Sequence, residues 1–503
     1  MNDLLARIGQ PILTRIIELL PVDEPIYLVG GAIRDALLNR PSNDLDFVTP
    51  GDALKIARQI ANNLGAAYFP LDVKRKMARL IIKPPRAHSL QAWSSTRIDF
   101  STFQGDDLIN DLQGRDFTMN AMAVEVHNFH TLIDPLGGAT DLISKYLRPC
   151  SQHAFLDDPV RILRAVRFSV DLNLQIQTET LQLLRQSIKY LSEVSAERLR
   201  DEIYRILLQS HPSSSLRILD KLNALEYILP ELCLLKGVEQ STPHIMDVWD
   251  HTLNFLTRLE NLLEVLAPAY NPDKAGNLAM GFVAWRLGRY RQYLEEHLNN
   301  ALNPDRPHRG LIFLAGMYHD VGKLHSQSMV ETGKIQFINH EQIGSQLIEK
   351  RGQELKLSNL EIERVVTIVR HHMRPSMLSH LKETPSRKAV YRFFRDTGAA
   401  GVDICVLSLA DILATYGTTL PQERWERHLD VVRQLWSAWW EDQTGSVFPP
   451  PLINGDILMD ELNISPGPLV GYLLESIREA QVAGDIHNQQ EAINLAQKLL
   501  ANH

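Results

Sequence analysis

The stretch Leu28–Val48, LVGGAIRDALLNRPSNDLDFV, joins two short apolar segments through a pair of glycines. The first segment ends at Gly30 and Gly31, and the second carries Asp44 and Asp46 with a leucine between them. Side chains two residues apart on a β-strand point to the same face of the sheet. We therefore predict two strands here, with the carboxylates of Asp44 and Asp46 directed at one place.

These residues have the chemistry of a phosphoryl-transfer site. Hard cations such as Mg2+ prefer carboxylate oxygens as ligands. Glycines let backbone N–H groups approach a phosphate closely, and a following helix N-terminus adds further donors. Either piece alone is more often an ordinary turn or a solvated strand end. Because the two occur together, the stretch predicts nucleotidyl transfer assisted by two metal ions.

The ordered set of strand, Gly-Gly and Asp-Leu-Asp resembles the head motif of the polymerase-beta type nucleotidyltransferases. The residues that follow narrow the resemblance to the tRNA nucleotidyltransferase and poly(A) polymerase family, in its bacterial (class II) form. The resemblance implies that Asp44 and Asp46 are the catalytic residues and hold Mg2+. It also implies that Gly30, Gly31 and Arg34 bind the triphosphate of the incoming nucleotide.

A second element, residues 111–121 with the sequence DLQGRDFTMNA, resembles the family's RRDxxxN motif. Gly114 occupies the position of the expected first arginine, so the resemblance carries over only to Arg115, Asp116 and Asn120. It implies a role for these three residues in binding the nucleotide sugar. An amide can bond a ribose hydroxyl, and a guanidinium can bond a phosphate.

Further along the chain, the sequence predicts a helix with Asp158 as N-cap and Pro159 at its first position. Arg161, Arg164 and Arg167 recur every three residues, so they share one face of this helix. The plain interpretation is a capped helix with a solvated basic stripe.

This helix start also resembles the family's EDxxR motif, with Asp157 in place of the glutamate. The resemblance implies that Asp158 and Arg161 read the Watson–Crick edge of the incoming base, and that Arg164 helps to bind the nucleotide. Protein side chains would then act as the template, because a carboxylate accepts from an amino group and a guanidinium donates to ring acceptors. The predicted RNA-binding residues are Arg167, Arg198 and Arg200.

The connection that follows the predicted strand ending near Phe100 is short. Only residues 101–110, STFQGDDLIN, precede Asp111. In CCA-adding relatives a long flexible loop separates these positions, and its loss is associated with enzymes that add C and C but not the terminal A. A loop that remodels the base pocket cannot act if it is absent. The sequence therefore favours CC addition, with a full CCA-adding enzyme and a poly(A) polymerase as the alternatives.

The second half of the chain contains histidines and aspartates in the order of an HD phosphohydrolase domain. Imidazole and carboxylate groups from several helices can bind transition metals and leave positions open for water and phosphate. The resemblance implies four defining metal ligands: His251, His319, Asp320 and Asp411. His340 and one of the neighbours His371 and His372 complete a second position, with His371 assigned and His372 left open. His244 and His325 are predicted to be decoys rather than metal ligands.

The HD resemblance implies a divalent transition metal such as Ni2+ or Mn2+, and hydrolysis of 2′,3′-cyclic or terminal phosphates. The rival interpretation is a domain that binds metal but does not catalyse. A further alternative is an HD phosphohydrolase whose head only binds RNA, and another is an RNA-binding scaffold without catalysis.

Composition restricts the setting in which the protein works. The chain has 503 residues and a net charge of −8, so it lacks the overall basic charge that would indicate nucleic acid binding. Cys150, Cys233 and Cys405 are scattered, which argues against disulfides or a zinc ribbon and fits a reducing cytoplasm. Apolar residues from Leu5 to Leu20 follow a helical rhythm interrupted by charges, so we predict neither a signal peptide nor a membrane span.

Together these observations predict an α/β polymerase-beta-type nucleotidyltransferase head followed by a mostly α-helical neck and body, an HD domain and a helical tail. The predicted boundaries are 1–23 for an N-terminal helix, 24–140 for the head, 141–240 for the neck and body, 241–420 for the HD domain and 421–503 for the tail. The predicted partners are tRNA and CTP, with ATP if the enzyme adds CCA. No membrane partner is predicted, and a separate A-adding enzyme would act on a CC-ending product.

Overall fold

The computed structural model describes residues 8, 11–42, 44–82, 96–271, 276–331, 333–381 and 383–501. The chain divides into two compact units, Met1–Val194 and Ser195–His503. Most of the first two turns of the predicted N-terminal helix, including Leu5, lies outside the described residues. The described part of that segment forms helix α1, Pro11–Leu19.

The first unit contains a seven-stranded mixed sheet in the order β3-β4-β5-β2-β1-β6-β7. Its strands are β1 (Tyr27–Val29), β2 (Asp44–Thr49), β3 (Ala67–Asp72), β4 (Met77–Ile82), β5 (Thr96–Thr102), β6 (Ala123–Glu125) and β7 (Asn128–Ile133). Strands β2 and β5 are parallel, and the other neighbours are antiparallel. The predicted α/β head is therefore confirmed.

Helices and turns complete this unit. They are α2 (Gly31–Leu37), α3 (Ala53–Leu64), α4 (Leu108–Gln113), α5 (Gly138–Ile143), α6 (Ala154–Asp157), α7 (Arg161–Asp171) and α8 (Thr178–Ser187), with 3-10 turns at Thr118–Asn120 and Ile188–Glu193 and a short parallel pair β8 (Tyr146–Leu147) and β9 (Gln175–Ile176). Asp52 is the N-cap of helix α3, and its carboxylate accepts from the N–H groups of Leu54 and Lys55; Gly65 is the C-cap, in a left-handed conformation.

Strand β2 alternates between two cores, and this alternation positions the acids. Leu45 and Phe47 are 0% and 1% exposed and belong to the larger core, which also contains the buried face of α3. Val48 belongs to a smaller core on the other side of the sheet, with Val29 and Leu112. Since the side chains of a strand alternate, Asp44 and Asp46 emerge on the side opposite Leu45 and Phe47, as predicted.

The predicted capping of α7 by Asp158 is wrong. The residue at its N-cap is Val160, and the helix begins at Arg161. Asp158 has extended backbone angles, φ −150° and ψ 95°, as expected for a residue that precedes a proline. Its carboxylate accepts from the N–H of Val160 at 3.3 Å, which leaves it at the bend between α6 and α7.

The second unit consists mainly of helices. Its first part contains α9 (Ala196–Leu207), α10 (Pro212–Lys221), α11 (Leu225–Ile228), α12 (Pro230–Cys233), α13 (Val248–Val265), α14 (Leu278–Leu287), a 3-10 turn at Gly288–Tyr290, α15 (Arg291–Asn299) and α16 (His308–Tyr318). Then come α17 (Lys323–Ser326), α18 (His340–Glu354), α19 (Asn359–His371), α20 (Arg374–His380), α21 (Arg387–Thr397), α22 (Ala400–Tyr416), a 3-10 turn at Gly417–Thr419 and α23 (Gln422–Glu441).

Short strands pair β10 (Ala301–Asn303) with β11 (Arg306–Pro307) and β12 (Gln327–Met329) with β13 (Ile335–Phe337). After a π-helical turn at Gln443–Val447, the tail forms α24 (Gly455–Leu462), α25 (Pro468–Ala483) and α26 (Gln489–Ala501), which share a small apolar core. The predicted helical body and tail are therefore confirmed, and the region predicted to be an HD domain is helical as well.

Helix α22 is long and apolar enough to cross a membrane, with a mean hydropathy of 1.5 over Ala400–Thr419. However, 83% of that window is buried inside the protein. It packs against α13 and α23, so it serves as a central core helix of the second unit.

Candidate functional site

The end of β1 brings the glycine pair against the acidic strand. Val29 pairs with Asp46 across the sheet, and Gly30 follows with a φ of 78°, a conformation that favours glycine. A Cβ at Gly30 would lie 3.1 Å from a guanidinium nitrogen of Arg115 and 3.3 Å from Oδ2 of Asp46. The backbone carbonyl oxygen of Asn120 is 3.9 Å from the same point. Four predicted site residues, from two separate motifs, therefore meet at one place.

The electrostatics of Asp46 favour a bound cation. Burial is the largest cause that raises the pKa of Asp46, and the carboxylates of Asp99 and Asp44 add to it. The guanidiniums of Arg115 and Arg79 oppose the rise, and the pKa settles at about 6. A carboxylate crowded by like charges gains from a divalent cation, so the donor set fits a hard metal ion such as Mg2+.

Sequence reasoning missed two residues beside this pair. Asp99 on β5 lies opposite Asp46 in the parallel register of β2 and β5. Arg79 holds Asp99 in a bidentate ion pair, with both nitrogen–oxygen distances at 2.8 Å. Asp44 is exposed, and its Oδ1 lies 3.7 Å from Nε of Arg97. A strand was predicted at Asp99, but only the strand order places it next to Asp46.

A chain of hydrogen bonds links the triphosphate motif to the sugar motif. Arg34 donates to Oδ1 of Asn120 at 2.8 Å, and Nδ2 of Asn120 donates to Oδ1 of Asp116 at 3.0 Å. Arg164 donates twice to Oδ2 of Asp116, at 2.9 and 2.6 Å. Burial would raise the pKa of Asp116, but Arg164, Asn120 and the N–H of Phe117 outweigh it and lower the pKa.

Arg161 faces the sugar motif rather than open solvent. Its guanidinium donates to the carbonyl of Gly114 at 2.9 Å and to those of Arg115 and Ala154 at 3.2 and 3.5 Å. Its Nε lies 3.9 Å from Oδ2 of Asp158. Asp158 and Arg161 are therefore neighbours, and Arg161 also closes the turn that carries Arg115.

The predicted basic face surrounds one aromatic ring. The guanidiniums of Arg34, Arg164 and Arg167 lie 5.1, 5.4 and 4.3 Å from the centre of the Phe168 ring. Aromatic faces attract cations, so the Phe168 ring stabilises these guanidiniums next to Asn120 and Asp116 without neutralising their charge. Such a concentration of guanidiniums suits a polyphosphate.

The other two predicted RNA-binding residues belong to the second unit, on α9. Arg198 is exposed. Arg200 donates to the carboxylate of Asp201 at 2.8 Å and to the carbonyl oxygen of Lys356 at 2.7 Å. The guanidinium of Arg200 is thus partly occupied in holding α9 to the segment after α18.

The HD residues form one buried centre in the second unit. His251, His319 and Asp320 each offer a ligand atom within 4.8 Å of the others, and so do Asp320, His340 and His372. Asp320 is shared by both groups. Asp411 on α22 also contacts this centre, with its Oδ1 3.2 Å from Nε2 of His251.

Hydrogen bonds to the backbone orient the imidazoles. The Nδ1–H groups of His319, His340 and His372 donate to carbonyl oxygens three residues earlier, at 2.8, 2.9 and 2.7 Å. A ring that donates from Nδ1 presents its Nε2 lone pair, which is the form that binds a metal. Nε2 of His319 is buried and lies 3.2 Å from Oδ2 of Asp320 and 3.9 Å from Oδ1 of Asp411, so it shares one position with two carboxylates that could bind the same cation.

Gly322 allows the turn after Asp320 to approach α18. A Cβ at Gly322 would lie only 2.0 Å from the carbonyl oxygen of His340. Lys323 donates to Oδ2 of Asp320 at 2.7 Å. Burial would raise the pKa of Asp320, but His319 and Lys323 hold it well below its usual range. The donor set of imidazoles and ionised carboxylates fits a divalent transition metal.

The assignment of His371 as a ligand is corrected by the structure. His371 lies in neither ligand group of the described residues, whereas Nε2 of His372 lies 3.4 Å from Nε2 of His340. Successive residues at the end of a helix point in directions about 100° apart, so only one of the two can face the centre. The sequence offered no way to choose, because the phase of α19 depends on its packing.

His244, which was predicted to be a decoy, lies in neither ligand group of the described residues, but it lies beside the centre. Its ring packs edge-on against that of His251, with centroids 4.9 Å apart. It lines a cavity of about 340 Å³ together with Asp320, His340 and Asp411. The other excluded histidine, His325, is exposed and does not line this cavity.

Family models match four parts of the chain. The Poly A polymerase head domain matches residues 26–148, and the model described as "Probable RNA and SrmB- binding site of polymerase A" matches residues 173–235. The HD domain matches residues 283–416, and a tRNA nucleotidyltransferase domain 2 matches residues 450–496. His251 precedes the HD match, although its side chain completes the HD centre.

Relatives of known name match almost the whole chain. The CC-adding tRNA nucleotidyltransferase of Geobacter sulfurreducens is 30% identical over 467 residues, which is 93% of this chain and 90% of the relative. The A-adding tRNA nucleotidyltransferase of Deinococcus radiodurans is 30% identical over 480 residues, 94% of both chains. A solved CCA-adding enzyme in an apo form shares the fold, with a TM-score of 0.61 at 21% identity, covering 99% of this chain and 96% of that one. The chain therefore belongs to the class II tRNA nucleotidyltransferase and poly(A) polymerase family, as a tRNA nucleotidyltransferase that carries an HD domain.

Proposed function

We propose that this nucleotidyltransferase adds two cytidylates to the 3′ end of tRNA, with CTP as the donor. The tRNA 3′-hydroxyl attacks the α-phosphorus, a new P–O bond forms, the bond to the β-phosphate oxygen breaks, and pyrophosphate leaves. The observation that carries the proposal is the close approach of three residues: a Cβ at Gly30 would lie 3.1 Å from a guanidinium nitrogen of Arg115 and 3.3 Å from Oδ2 of Asp46. Asp44 and Asp46 would hold Mg2+, which supplies charge neutralisation at the phosphates and lowers the pKa of the hydroxyl.

The protein's own groups then bind and orient the nucleotide. Gly30 and Gly31 present backbone to the triphosphate, and Arg34 and Arg115 supply positive charge beside it. Asn120 bonds the ribose. Asp116 acts as a positioning residue, because its oxygens are already taken by Asn120 and Arg164.

Base choice is assigned to Asp158 and Arg161. A carboxylate at Asp158 accepts from the cytosine amino group, and a guanidinium donates to the ring acceptors. Arg161 donates to the carbonyls of Gly114, Arg115 and Ala154 with three of its five N–H groups. We infer that these bonds orient the guanidinium and that its other N–H groups can donate to the base.

The finer claim of CC addition rests on the connection after β5. Only residues 103–107 separate the end of β5 from the start of α4. Residues 83–95, between β4 and β5, lie outside the described residues, and a full CCA-adding enzyme remains the alternative. The Deinococcus radiodurans relative is named A-adding at the same 30% identity, so A addition is a further alternative. With CC addition, a separate A-adding enzyme in the cytoplasm completes the tRNA.

A product-length assay tests this proposal. Purified enzyme is incubated with tRNA transcripts that end before CCA, after C, and after CC, with CTP alone, ATP alone, or both. CC addition predicts two cytidylates on the first transcript and no extension of the last one by ATP. Terminal adenylation of the CC-ending transcript overturns the CC assignment and leaves the nucleotidyltransferase assignment intact.

We also propose that the HD centre hydrolyses phosphate esters. The support is the pair of ligand groups that share Asp320, together with the buried Nε2 of His319, which lies 3.2 Å from Oδ2 of Asp320. His251, His319, Asp320, His340, His372 and Asp411 would hold Ni2+ or Mn2+. A metal there would activate water for attack on phosphorus.

The test is hydrolysis of 2′,3′-cyclic AMP and of bis(p-nitrophenyl) phosphate with Ni2+, Mn2+ or Mg2+. Wild type and Asp320→Ala are compared, since the variant loses the residue common to both ligand groups. Turnover in the wild type that vanishes in the variant supports the proposal. Metal binding without turnover instead favours the idle-domain alternative.

A further inference from the structure

The cavity beside the HD centre has a mixed polar and apolar lining. Asp320, His340 and Asp411 are among its polar residues, and Ile335, Phe337 and Met373 are among its apolar ones. Its volume, about 340 Å³, is large enough for a small organic phosphate. His244 belongs to this lining, in the segment just before α13.

The polar atoms of His244 are unusual in this lining. Nδ1 of His244 is buried and has no hydrogen-bond partner among the described residues. A buried polar group without a partner is costly, so such a group points to water or to a ligand that arrives later. His244 is also absent from both ligand groups, although its ring contacts that of His251. It therefore stands beside the metal position without belonging to it.

Lys323, the cation that also lines the cavity, does not provide the missing hydrogen-bond partner of His244. Its ammonium donates to Oδ2 of Asp320 and to Oε1 of Gln240, both at 2.7 Å. A phosphate that enters the cavity thus meets one free imidazole and one ammonium already engaged. A neutral imidazole offers one N–H donor, which a phosphoryl oxygen can accept.

We propose that His244 is a catalytic residue of the HD centre, donating a hydrogen bond to a phosphoryl oxygen of the ester bound in this cavity. This inference rests on the proposed hydrolytic function of the same centre. In the reaction, water adds to phosphorus, the P–O bond to the alcohol breaks, and a proton from the water ends on the departing alkoxide. His244 forms no covalent bond and is not a metal ligand.

The experiment uses the full chain loaded with Mn2+, and the probes are inorganic phosphate and bis(p-nitrophenyl) phosphate. Wild type, His244→Ala, His244→Asn, Asp320→Ala and the control His325→Ala are compared. Phosphate affinity is measured by calorimetry, metal content by mass spectrometry, and turnover as kcat and KM. Asparagine is included because its amide can reach a position close to that of Nδ1.

We expect His244→Ala to weaken phosphate binding and to lower kcat/KM by about ten- to a hundredfold, the size of one hydrogen bond to a charged group. Its manganese content should equal that of the wild type, and His244→Asn should recover part of the loss. Asp320→Ala should lose the metal, and His325→Ala should match the wild type.

Two results would overturn the proposal: a His244→Ala protein with unchanged phosphate affinity and kcat/KM, or one that loses manganese and so identifies a ligand. If the wild type turns over no ester, the hydrolytic proposal fails, but phosphate binding by wild type and not by His244→Ala still supports the contact. If metal-loaded wild type does not bind phosphate, the inference about His244 fails as well.

Discussion

The two candidate metal centres are built from the chain in opposite ways. In the first unit, Asp44 and Asp46 lie two positions apart on one strand, and the exposed Asp44 faces solvent. In the second unit, the ligands come from positions as distant as His251 and Asp411, carried by different helices. There, His251, His319 and Asp320 are only 1%, 1% and 3% exposed.

Their charge balance also differs. The pKa of Asp46 is raised to about 6, by burial first and then by two neighbouring carboxylates. The pKa of Asp320 is lowered, because His319 and Lys323 outweigh its burial. The head site therefore needs an added cation to balance its acids, whereas imidazoles and a lysine balance the HD site before a metal arrives. This contrast predicts that each site can be disabled without the other.

The largest expected effect is the loss of nucleotidyl transfer in Asp46→Asn. Removing a metal-binding carboxylate forfeits several kcal/mol of transition-state stabilisation, so we expect a fall in kcat on the order of a thousandfold or more. Incorporation of labelled CTP into tRNA measures it. Asp72→Asn, on the β3–β4 hairpin, is the matched control and should keep full activity.

Phosphodiesterase activity at the HD centre should be unchanged in Asp46→Asn. A parallel loss of both activities would contradict the independence of the two sites. The reciprocal variant, Asp320→Ala, should lose hydrolysis and retain CTP incorporation.

The next effect compares two adjacent histidines. His372→Ala removes an imidazole whose Nε2 lies 3.4 Å from that of His340, while His371→Ala removes one outside the ligand groups. Replacing a residue that only supports a metal ligand typically lowers metal affinity about ten- to a hundredfold. We expect the first variant, which loses a ligand, to lose at least that much Mn2+ affinity. The second should bind like the wild type. Calorimetric titration decides, and equal losses would contradict the ligand assignment.

A smaller effect is expected at Arg161. Its alanine variant leaves the carbonyls of Gly114, Arg115 and Ala154 without their donor, which should destabilise the first unit by about 1–3 kcal/mol. If Arg161 also reads the base, discrimination of CTP against ATP should fall about tenfold, as expected for one lost bond to a base edge. Urea unfolding and competition kinetics measure the two effects. Loss of stability with full discrimination would show that Arg161 is purely structural.

The smallest effect is the opposite pH dependence of the two units. The pKa of Asp46 is raised, so its contribution to stability is full below about pH 4 and is lost as the pH rises through about 6. His428 is buried between the hydroxyls of Ser379 and Ser408, and burial lowers its pKa to about 4. Its contribution is full above about pH 6.5 and is lost as the pH falls toward 4.

Urea unfolding in EDTA at pH 4.5 and pH 7.5 measures this contrast. All tryptophans except Trp93 lie in the second unit, so their fluorescence reports on that unit. The contribution of the head is obtained by comparing Asp46→Asn with the wild type. Asp46→Asn should gain stability relative to wild type mainly at pH 7.5. His428→Asn should cost most at pH 7.5 and less at pH 4.5. The same pH trend in both variants would contradict the account.

The difference between the sites also explains what the sequence could predict. Asp44, Asp46 and Gly30 were found because strand alternation is local and needs no knowledge of the fold. Asp99 was missed because its contact with Asp46 follows from the strand order, in which β5 lies beside β2. Asp158 was misplaced as an N-cap because Pro159 and Val160 form a turn and α7 begins only at Arg161.

The HD residues were predicted by type and order, but not in detail. The choice between His371 and His372 depends on how α19 is rotated in its packing. His244 precedes the ligands in an irregular segment, where periodicity gives no direction, so its place beside the centre was not predicted. The network from Arg34 through Asn120 to Arg164 joins three distant motifs, so only the folded head could reveal it.

The most direct test of the central claim is anomalous diffraction from crystals grown with Mn2+ and a non-hydrolysable CTP analogue. The account predicts a manganese peak in contact with the carboxylates of Asp44 and Asp46, with the triphosphate against Gly30 and Arg115. A triphosphate bound elsewhere, or manganese absent from both acids while the analogue is bound, would contradict it.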